Sequence, residues 1–253
     1  CVERFGFDGI RLTGGEPTMR AHLPVLVGKL AAIRRPDGRR PDLALTTNGS
    51  ALRHLAHELR DAGLARVNIS LDTLRRDRFL QMTRRDELDR VLDGIEAAKE
   101  AGFAPVKLNT VVQRGVNDDE IVDLARFGRE TGVEVRFIEF MPLDADGEWS
   151  MDRVVPAREI LERIDAVFAL ESAAVPGAGH VEPAERFRYA DGIGDIGVIA
   201  SVTAPFCDDC DRVRITADGK FRTCLFALAK TDLRAILRGG GTDDDVAAAI
   251  EAA

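Results

Sequence analysis

The chain has 253 residues, 45% of them hydrophobic and 31% charged. That is the composition of an ordinary globular protein of one large domain or two small ones. Its 35 Lys and Arg against 43 Asp and Glu give a formal charge of −8, which argues against general nucleic-acid binding. No apolar run approaches the ~20 residues of a membrane helix, and Cys1–Asp8 lacks signal-peptide form, so a cytoplasmic location is expected.

Phe5-Gly6-Phe7, ahead of a strand expected at Ile10–Thr13, has the form of a helix–glycine–strand junction. The same junction returns at Ala62-Gly63-Leu64, Ala101-Gly102-Phe103 and Thr131-Gly132-Val133. Cys1–Phe5 therefore reads as the tail of a helix, and the chain is expected to begin inside a βα unit. Further strands are expected at Leu43–Thr47, Arg66–Leu71, Val106–Val112 and Glu134–Phe140. Between them apolar residues recur with the helical period: Leu23, Leu26, Val27, Leu30; then Leu52, Leu55, Ala56, Leu59; then Leu88, Val91, Leu92, Ile95. Asn117 and Glu120 have capping-box spacing ahead of a helix over Asp118–Glu130. Strands alternating with helices imply parallel pairing, in a β/α barrel or an open doubly wound sheet.

After Met141 the pattern changes, which divides the chain into regions 1–142 and 143–253. Pro142–Trp149 is loop-like, Ala157–Ile164 reads as a helix, and Glu171–Gly179 is small and flexible in composition. Arg186–Ala190 and Ile196–Ser201 read as strands of the second region. Thr231–Leu237 and Thr242–Ala252 read as closing helices, each with a threonine cap.

The four cysteines are Cys1, Cys207, Cys210 and Cys224, and the last three form a Cys-x2-Cys-x13-Cys pattern. Clustered cysteines in a reducing compartment point to metal rather than to disulfides. Ala217-Asp218-Gly219 is a hairpin turn signal that pairs Arg212 with Thr223 or Cys224 and brings Cys224 back toward Cys210. Three thiolates leave a metal or cluster iron with an open position; completion of a structural zinc site by His180 is the competing interpretation. Arg212 and Arg214 alternate on one strand face, where guanidinium forks suit phosphate.

At the strand ends lie Thr13-Gly14-Gly15-Glu16-Pro17, Thr46-Thr47-Asn48-Gly49-Ser50 and Ser70-Leu71-Asp72. Two glycines let backbone approach a ligand, and the Glu16 carboxylate suits an amine. Arg11, Lys107 and Arg136 sit within apolar strands, where unpaired charge is costly. They fit a cavity for a polyanion, or else salt bridges to neighbours such as Asp72 or Glu139. His22, His54 and His57 lie on helices and favour packing or surface roles. No P-loop, dinucleotide or Gly-x-Ser-x-Gly fingerprint is present.

Taken together, Ile10-Arg-Leu-Thr-Gly-Gly-Glu-Pro17, Thr46-Thr-Asn-Gly-Ser50, Val67-Asn-Ile-Ser-Leu-Asp72, Val106-Lys-Leu-Asn109, Arg136-Phe-Ile-Glu-Phe-Met141 and Cys207-Asp-Asp-Cys-Asp-Arg-Val-Arg214 closely resemble the GTP 3',8-cyclases. These are radical S-adenosylmethionine (SAM) enzymes that open molybdenum-cofactor biosynthesis. The resemblance implies an α/β fold: an incomplete (β/α)6 barrel, here missing its first strand, with a small C-terminal α+β region carrying a second cluster site. It implies that one [4Fe-4S] cluster reduces SAM to a 5'-deoxyadenosyl radical, which takes hydrogen from C3' of GTP before C3' joins C8. A second, auxiliary [4Fe-4S] cluster on Cys207, Cys210 and Cys224 binds guanine through its open iron. Gly14, Gly15, Glu16, Ser70 and Met141 match the SAM site; Arg11, Thr46, Lys107, Arg136, Arg212 and Arg214 match the GTP site.

The family's Cys-x3-Cys-x2-Cys loop for the SAM cluster and its glycine-ending tail have no counterpart among these residues. The chain alone is therefore expected to be inactive. An electron donor, a possible homodimer and a downstream cyclic pyranopterin monophosphate synthase are the implied partners, with no membrane or nucleic acid. The alternatives are another radical SAM enzyme with an auxiliary cluster, or a non-catalytic zinc-binding module.

Overall fold

The computed structural model describes residues 1–143, 147, 149–173 and 183–253. His180 and the stretch 174–179 lie outside the described residues, as do 144–146 and 148 of the polar loop.

A short helix α1 (Val2–Phe5) ends at Gly6 and leads into β1 (Gly9–Leu12). Four βα units follow: α2 (Leu23–Ala32) and β2 (Asp42–Thr47), then α3 (Leu52–Asp61) and β3 (Arg66–Ser70). Next come α4 (Arg76–Thr83), α5 (Leu88–Glu100) and β4 (Lys107–Val112), then α6 (Ile121–Thr131) and β5 (Glu134–Glu139). All five strands pair in parallel and in sequence order. Gly132, at φ 74°, stops α6 in the left-handed conformation and lets its N–H reach the Gly128 carbonyl.

Beyond β5 lie α7 (Ala157–Asp165), β6 (Leu170–Ser172), β7 (Glu185–Tyr189) and β8 (Asp195–Ile199). β8 adds parallel to β5, and β7 and β6 follow antiparallel, so the sheet runs β1-β2-β3-β4-β5-β8-β7-β6. The strands expected at Arg186–Ala190 and Ile196–Ser201 thus extend the main sheet, with β8 as its sixth parallel strand. The chain closes with the hairpin β9 (Arg214–Ile215) and β10 (Lys220–Arg222), β11 (Thr231–Asp232), α8 (Leu233–Arg238) and α9 (Asp243–Glu251).

Strand alternation decides the two faces of the sheet. Leu43, Leu45, Val67, Ile69, Leu108, Val135, Phe137 and Ile196 are buried against Val27, Leu52, Leu59, Val91, Ile95 and Leu124 of the helices. Each such side chain contributes about 1.5–3 kcal/mol on burial. The alternate set, Arg11, Ala44, Thr46, Asn68, Lys107, Asn109, Glu134, Arg136 and Gly197, shares the other, concave face through the registers Arg11↔Ala44, Thr46↔Asn68, Asn68↔Lys107, Lys107↔Glu134 and Arg136↔Gly197.

Three local expectations are corrected. Asn117 makes no cap; its Oδ1 accepts from Gln113 N–H at 2.8 Å and its Nδ2 donates to the Asp72 and Val111 carbonyls. Thr231 sits in β11, and Asp232, one residue on, caps α8 instead: its carboxylate accepts from Ala235 N–H at 2.9 Å. Helix α4 was not foreseen: Phe79 is its buried residue, too little for an apolar stripe. The capping box at Thr242 is present, with Asp245 as its reciprocal partner.

Candidate active site at the barrel mouth

The site is assembled from the loops that follow the parallel strands. Gly14, at φ 139°, and Gly15 follow β1, and no atom lies within 4 Å of where a Cβ would stand on either. This turn therefore offers bare backbone to open space. Behind it, Glu16 Oε1 accepts from the hydroxyls of Thr18 and Thr47 at 2.6 Å each and from Thr18 N–H at 3.0 Å. Its Oε2 accepts from Asn48 N–H at 2.7 Å. The carboxylate that the sequence offered to a ligand amine is engaged by four donors of the chain, and it clamps the first loop to the second.

Ser70 is exposed at the end of β3. Two residues on, burial pushes the Asp72 carboxyl up to about 6, partly offset by the Val111 N–H that it accepts at 2.8 Å. Glu120 is 1% exposed; it accepts from the Thr73 hydroxyl at 2.6 Å and Leu74 N–H at 2.8 Å, and it pairs with Arg78. At the end of β5, Glu139 is fully buried. It accepts from Ala157, Val202 and Thr203 N–H at 2.7–2.8 Å and from the Thr203 hydroxyl. Glu16, Glu120 and Glu139 thus each tie neighbouring rim loops, and half-buried Met141 follows the last of them.

Lower on the concave face, Lys107, Glu134 and Arg136 are 5%, 4% and 4% exposed. Glu134 Oε1 accepts from Arg136 Nε at 2.8 Å and stands 3.6 Å from Lys107 Nζ; its Oε2 lies 3.5 Å from Arg186. Among the described residues Lys107 and Arg136 both pair with Glu134, a neighbour other than the Asp72 and Glu139 that the sequence offered for salt bridges. Those two are committed elsewhere, while Glu134 is brought beside Lys107 by strand register. Arg186 also pairs with Asp195, at 3.0 Å, so Glu134 serves chiefly Lys107 and Arg136. The Cβ that Gly197 lacks would stand 3.2 Å from Arg136 Cγ, so the glycine makes room for that side chain.

Arg11 reaches this face from β1. Arg11 is exposed, yet partial desolvation by the surrounding chain, then the like charges of Arg66, Arg136 and Arg212, lower its guanidinium pKa. The Oγ1 of Thr46, next door, is buried with no hydrogen-bond partner among the described residues. A buried hydroxyl left unpaired marks a place for a ligand atom.

The charge of Arg212 acts on Arg11, so the C-terminal segment that carries Arg212 lies within electrostatic range of β1. With Gly219 at φ 81°, β9 and β10 pair Ile215 with Phe221 and Arg214 with Arg222. Continued outward, this register sets Arg212 opposite Cys224, one of the two alternatives left by the sequence. Arg212 stacks 4.8 Å over the Phe206 ring and donates to Cys210 Sγ at 3.3 Å. The Arg212 N–H, with the charges of Arg212 and Arg214, holds the Cys210 thiol below its ordinary range. Arg214 is lowered by burial and by Arg212, and it feels both Cys210 and Cys224.

Cys207, Cys210 and Cys224 are free and exposed. Among the described residues no three His, Cys, Asp or Glu side chains meet in metal-holding geometry. The donor chemistry nevertheless suits a soft iron–sulfur group: three free thiols, one pushed toward thiolate, on a turn and a hairpin beside arginines.

Sequence inspection missed Glu134 and Arg186. Glu134 stands two residues from Arg136 in the same apolar run, and that period-two spacing was the available signal. Arg186 reaches the site through β7, whose place beside β8 is a tertiary fact. Among the described residues no helix is long and apolar enough to cross a membrane.

Residues 1–128 match the Radical SAM superfamily and residues 133–253 match Molybdenum Cofactor Synthesis C. A GTP 3',8-cyclase of Streptomyces coelicolor is 48% identical over 247 residues, covering 98% of this chain and 71% of that protein. One from Acidothermus cellulolyticus is 49% identical over 251 residues, covering 99% of this chain and 68% of its own length. One from Corynebacterium glutamicum is 46% identical, covering 98% and 66%. Among solved structures, TYW1 with a lysine-pyruvate adduct bound aligns at a TM-score of 0.48 and 16% identity, over 66% of this chain and 53% of that one. The chain belongs to the GTP 3',8-cyclase family of radical SAM enzymes.

Proposed function

We propose that the barrel mouth binds GTP and SAM and serves the conversion of GTP to 3',8-cyclo-7,8-dihydro-GTP in molybdenum-cofactor biosynthesis. The nearness of four cations from four separate parts of the chain carries this proposal: Arg136 and Arg212 both act on the charge of Arg11, and Lys107 and Arg136 share Glu134. On a chain of net charge −8, such a group focuses positive potential where a triphosphate would lie.

Arg11, Lys107, Arg212 and Arg214 hold the phosphates, and Arg136, seated on Glu134, closes the floor. Thr46 turns its unpaired hydroxyl to the nucleotide. Gly14, Gly15, Ser70 and Met141 cradle SAM, while Glu16 keeps the glycine turn in place. Cys207, Cys210 and Cys224 hold the auxiliary [4Fe-4S] cluster, which when bound offers an open iron to a nucleotide donor atom. The SAM-reducing cluster needs thiolates that the remaining cysteine, Cys1, does not by itself provide. An electron donor, a cytoplasmic setting, a possible homodimer and a downstream cyclic pyranopterin monophosphate synthase complete the proposal.

The test is calorimetric titration of GTP into the anaerobically reconstituted chain. Saturable GTP binding that falls at least tenfold in Lys107→Ala and in Arg212→Ala is the expected result, and about four irons per chain accompany it. GTP affinity unmoved by either substitution would refute this use of the barrel mouth.

A further inference from the structure

Arg222 has no role in the site described above. The hairpin register places it directly opposite Arg214. By strand alternation Arg212, Arg214 and Arg222 then share one face, while Phe221, 2% exposed, occupies the other on the strand that packs against α8. Like charges in direct cross-strand register repel. Among the described residues the hairpin's ion pair is Lys220 with Asp218 at 3.2 Å, and the three guanidiniums have no carboxylate partner. The Nε of Arg222 is moreover buried with no hydrogen-bond partner there. Three arginines stacked on one face, one with a buried and unpaired donor, are arranged for an anion that is shared among them.

We propose that Arg222 is a third phosphate-holding arginine of the hairpin and sets a preference for nucleoside triphosphate over monophosphate. The proposal rests on the GTP-binding role of the barrel mouth. The Nε and Nη groups form a fork that takes two oxygens of one phosphate, and Arg212 and Arg214 take others. A triphosphate brings roughly two more negative charges than a monophosphate, and those charges are what a third arginine can use. A hairpin whose arginines served only packing would gain nothing from setting two of them in register.

The test compares the full chain, reconstituted anaerobically, with Arg222→Gln and Arg222→Lys. Each is titrated calorimetrically with GTP, GMP and inorganic tripolyphosphate at fixed ionic strength, and each is melted without ligand. In Arg222→Gln, GTP and tripolyphosphate weaken about tenfold and GMP less than twofold. Arg222→Lys, which keeps the charge and loses the fork, falls between. The ligand-free melt of Arg222→Gln is unchanged or higher, because a like-charge pair has been removed. Equal losses for GTP and GMP, or a lower ligand-free melt, would assign Arg222 a structural role and overturn the proposal. GTP binding that Arg222→Gln leaves untouched overturns the role of Arg222 alone. Absence of GTP binding by the unsubstituted chain overturns the GTP site together with it.

Discussion

Replacing Glu134 by Gln tests the floor of the barrel most directly. The carboxylate stands 2.8 Å from Arg136 Nε, 3.6 Å from Lys107 Nζ and 3.5 Å from Arg186, and both Lys107 and Arg136 are at most 5% exposed. Glutamine keeps the volume and one acceptor but removes the charge. Removing one member of a buried ion pair costs about 3–5 kcal/mol, because the remaining charges stay buried with less compensation. For a chain of this size each kcal/mol lowers Tm by about 2–4 °C, so a fall of roughly 6–20 °C is expected. GTP supplies the missing negative charge if it binds against Lys107 and Arg136. A ligand at a hundred times its Kd stabilises by about 2.7 kcal/mol, and its increment should be larger in Glu134→Gln than in the unsubstituted chain. The assay is thermal unfolding with and without GTP. An unchanged Tm, or the same GTP increment in both proteins, would refute the assignment of Glu134 as the counter-charge of an anion-binding floor.

Three further outcomes follow from the same structure. Asp72 has its carboxyl raised to about 6 from the ordinary 3.8, so the folded state holds the proton more tightly than the unfolded state between those values. Stability contributed at Asp72 is therefore lost as pH rises from about 4 to 6, by of order 2 kcal/mol; the stability difference between the native chain and Asp72→Asn, from urea melts across that range, should shrink accordingly, and a flat difference would contradict the shift. Glu139→Gln should cost about 2–4 kcal/mol, since four donors from α7 and the 201–203 turn lose their charged acceptor; denaturant melts read this, and a cost below about 0.5 kcal/mol would remove Glu139 as the brace between β5 and the approach to Cys207. Cys224→Ser should abolish iron retention after anaerobic reconstitution while leaving the ligand-free melt within about 0.5 kcal/mol, because the Cys224 side chain is exposed; iron held at the unsubstituted level would exclude Cys224 as a ligand.

The sequence by itself determined the order of the strands through β5 and of the helices between them other than α4, because the helical period, the glycine stops and the β-branched runs are local signals. The hairpin at Gly219 was equally legible, since a left-handed glycine in a three-residue turn limits the register to few choices. The candidate ligands came from motifs and from the cost of charge inside apolar strands, which marks Lys107 and Arg136 without naming their partner. Only the tertiary structure decided that partner. Lys107 and Glu134 are far apart in the chain and adjacent by strand register, and Arg136 lies alongside Gly197 of β8.

The same holds for the rim. Glu16 looks like a ligand group in its motif, yet its four donors come from its own loop and from the loop after β2. Asn117 has the spacing of a cap, yet it joins the loops after β3 and β4. Short polar side chains serve local backbone and distant backbone with the same atoms, so spacing alone cannot assign them. The approach that lets the charge of Arg212 act on Arg11 likewise belongs to packing: nothing in either segment encodes the other.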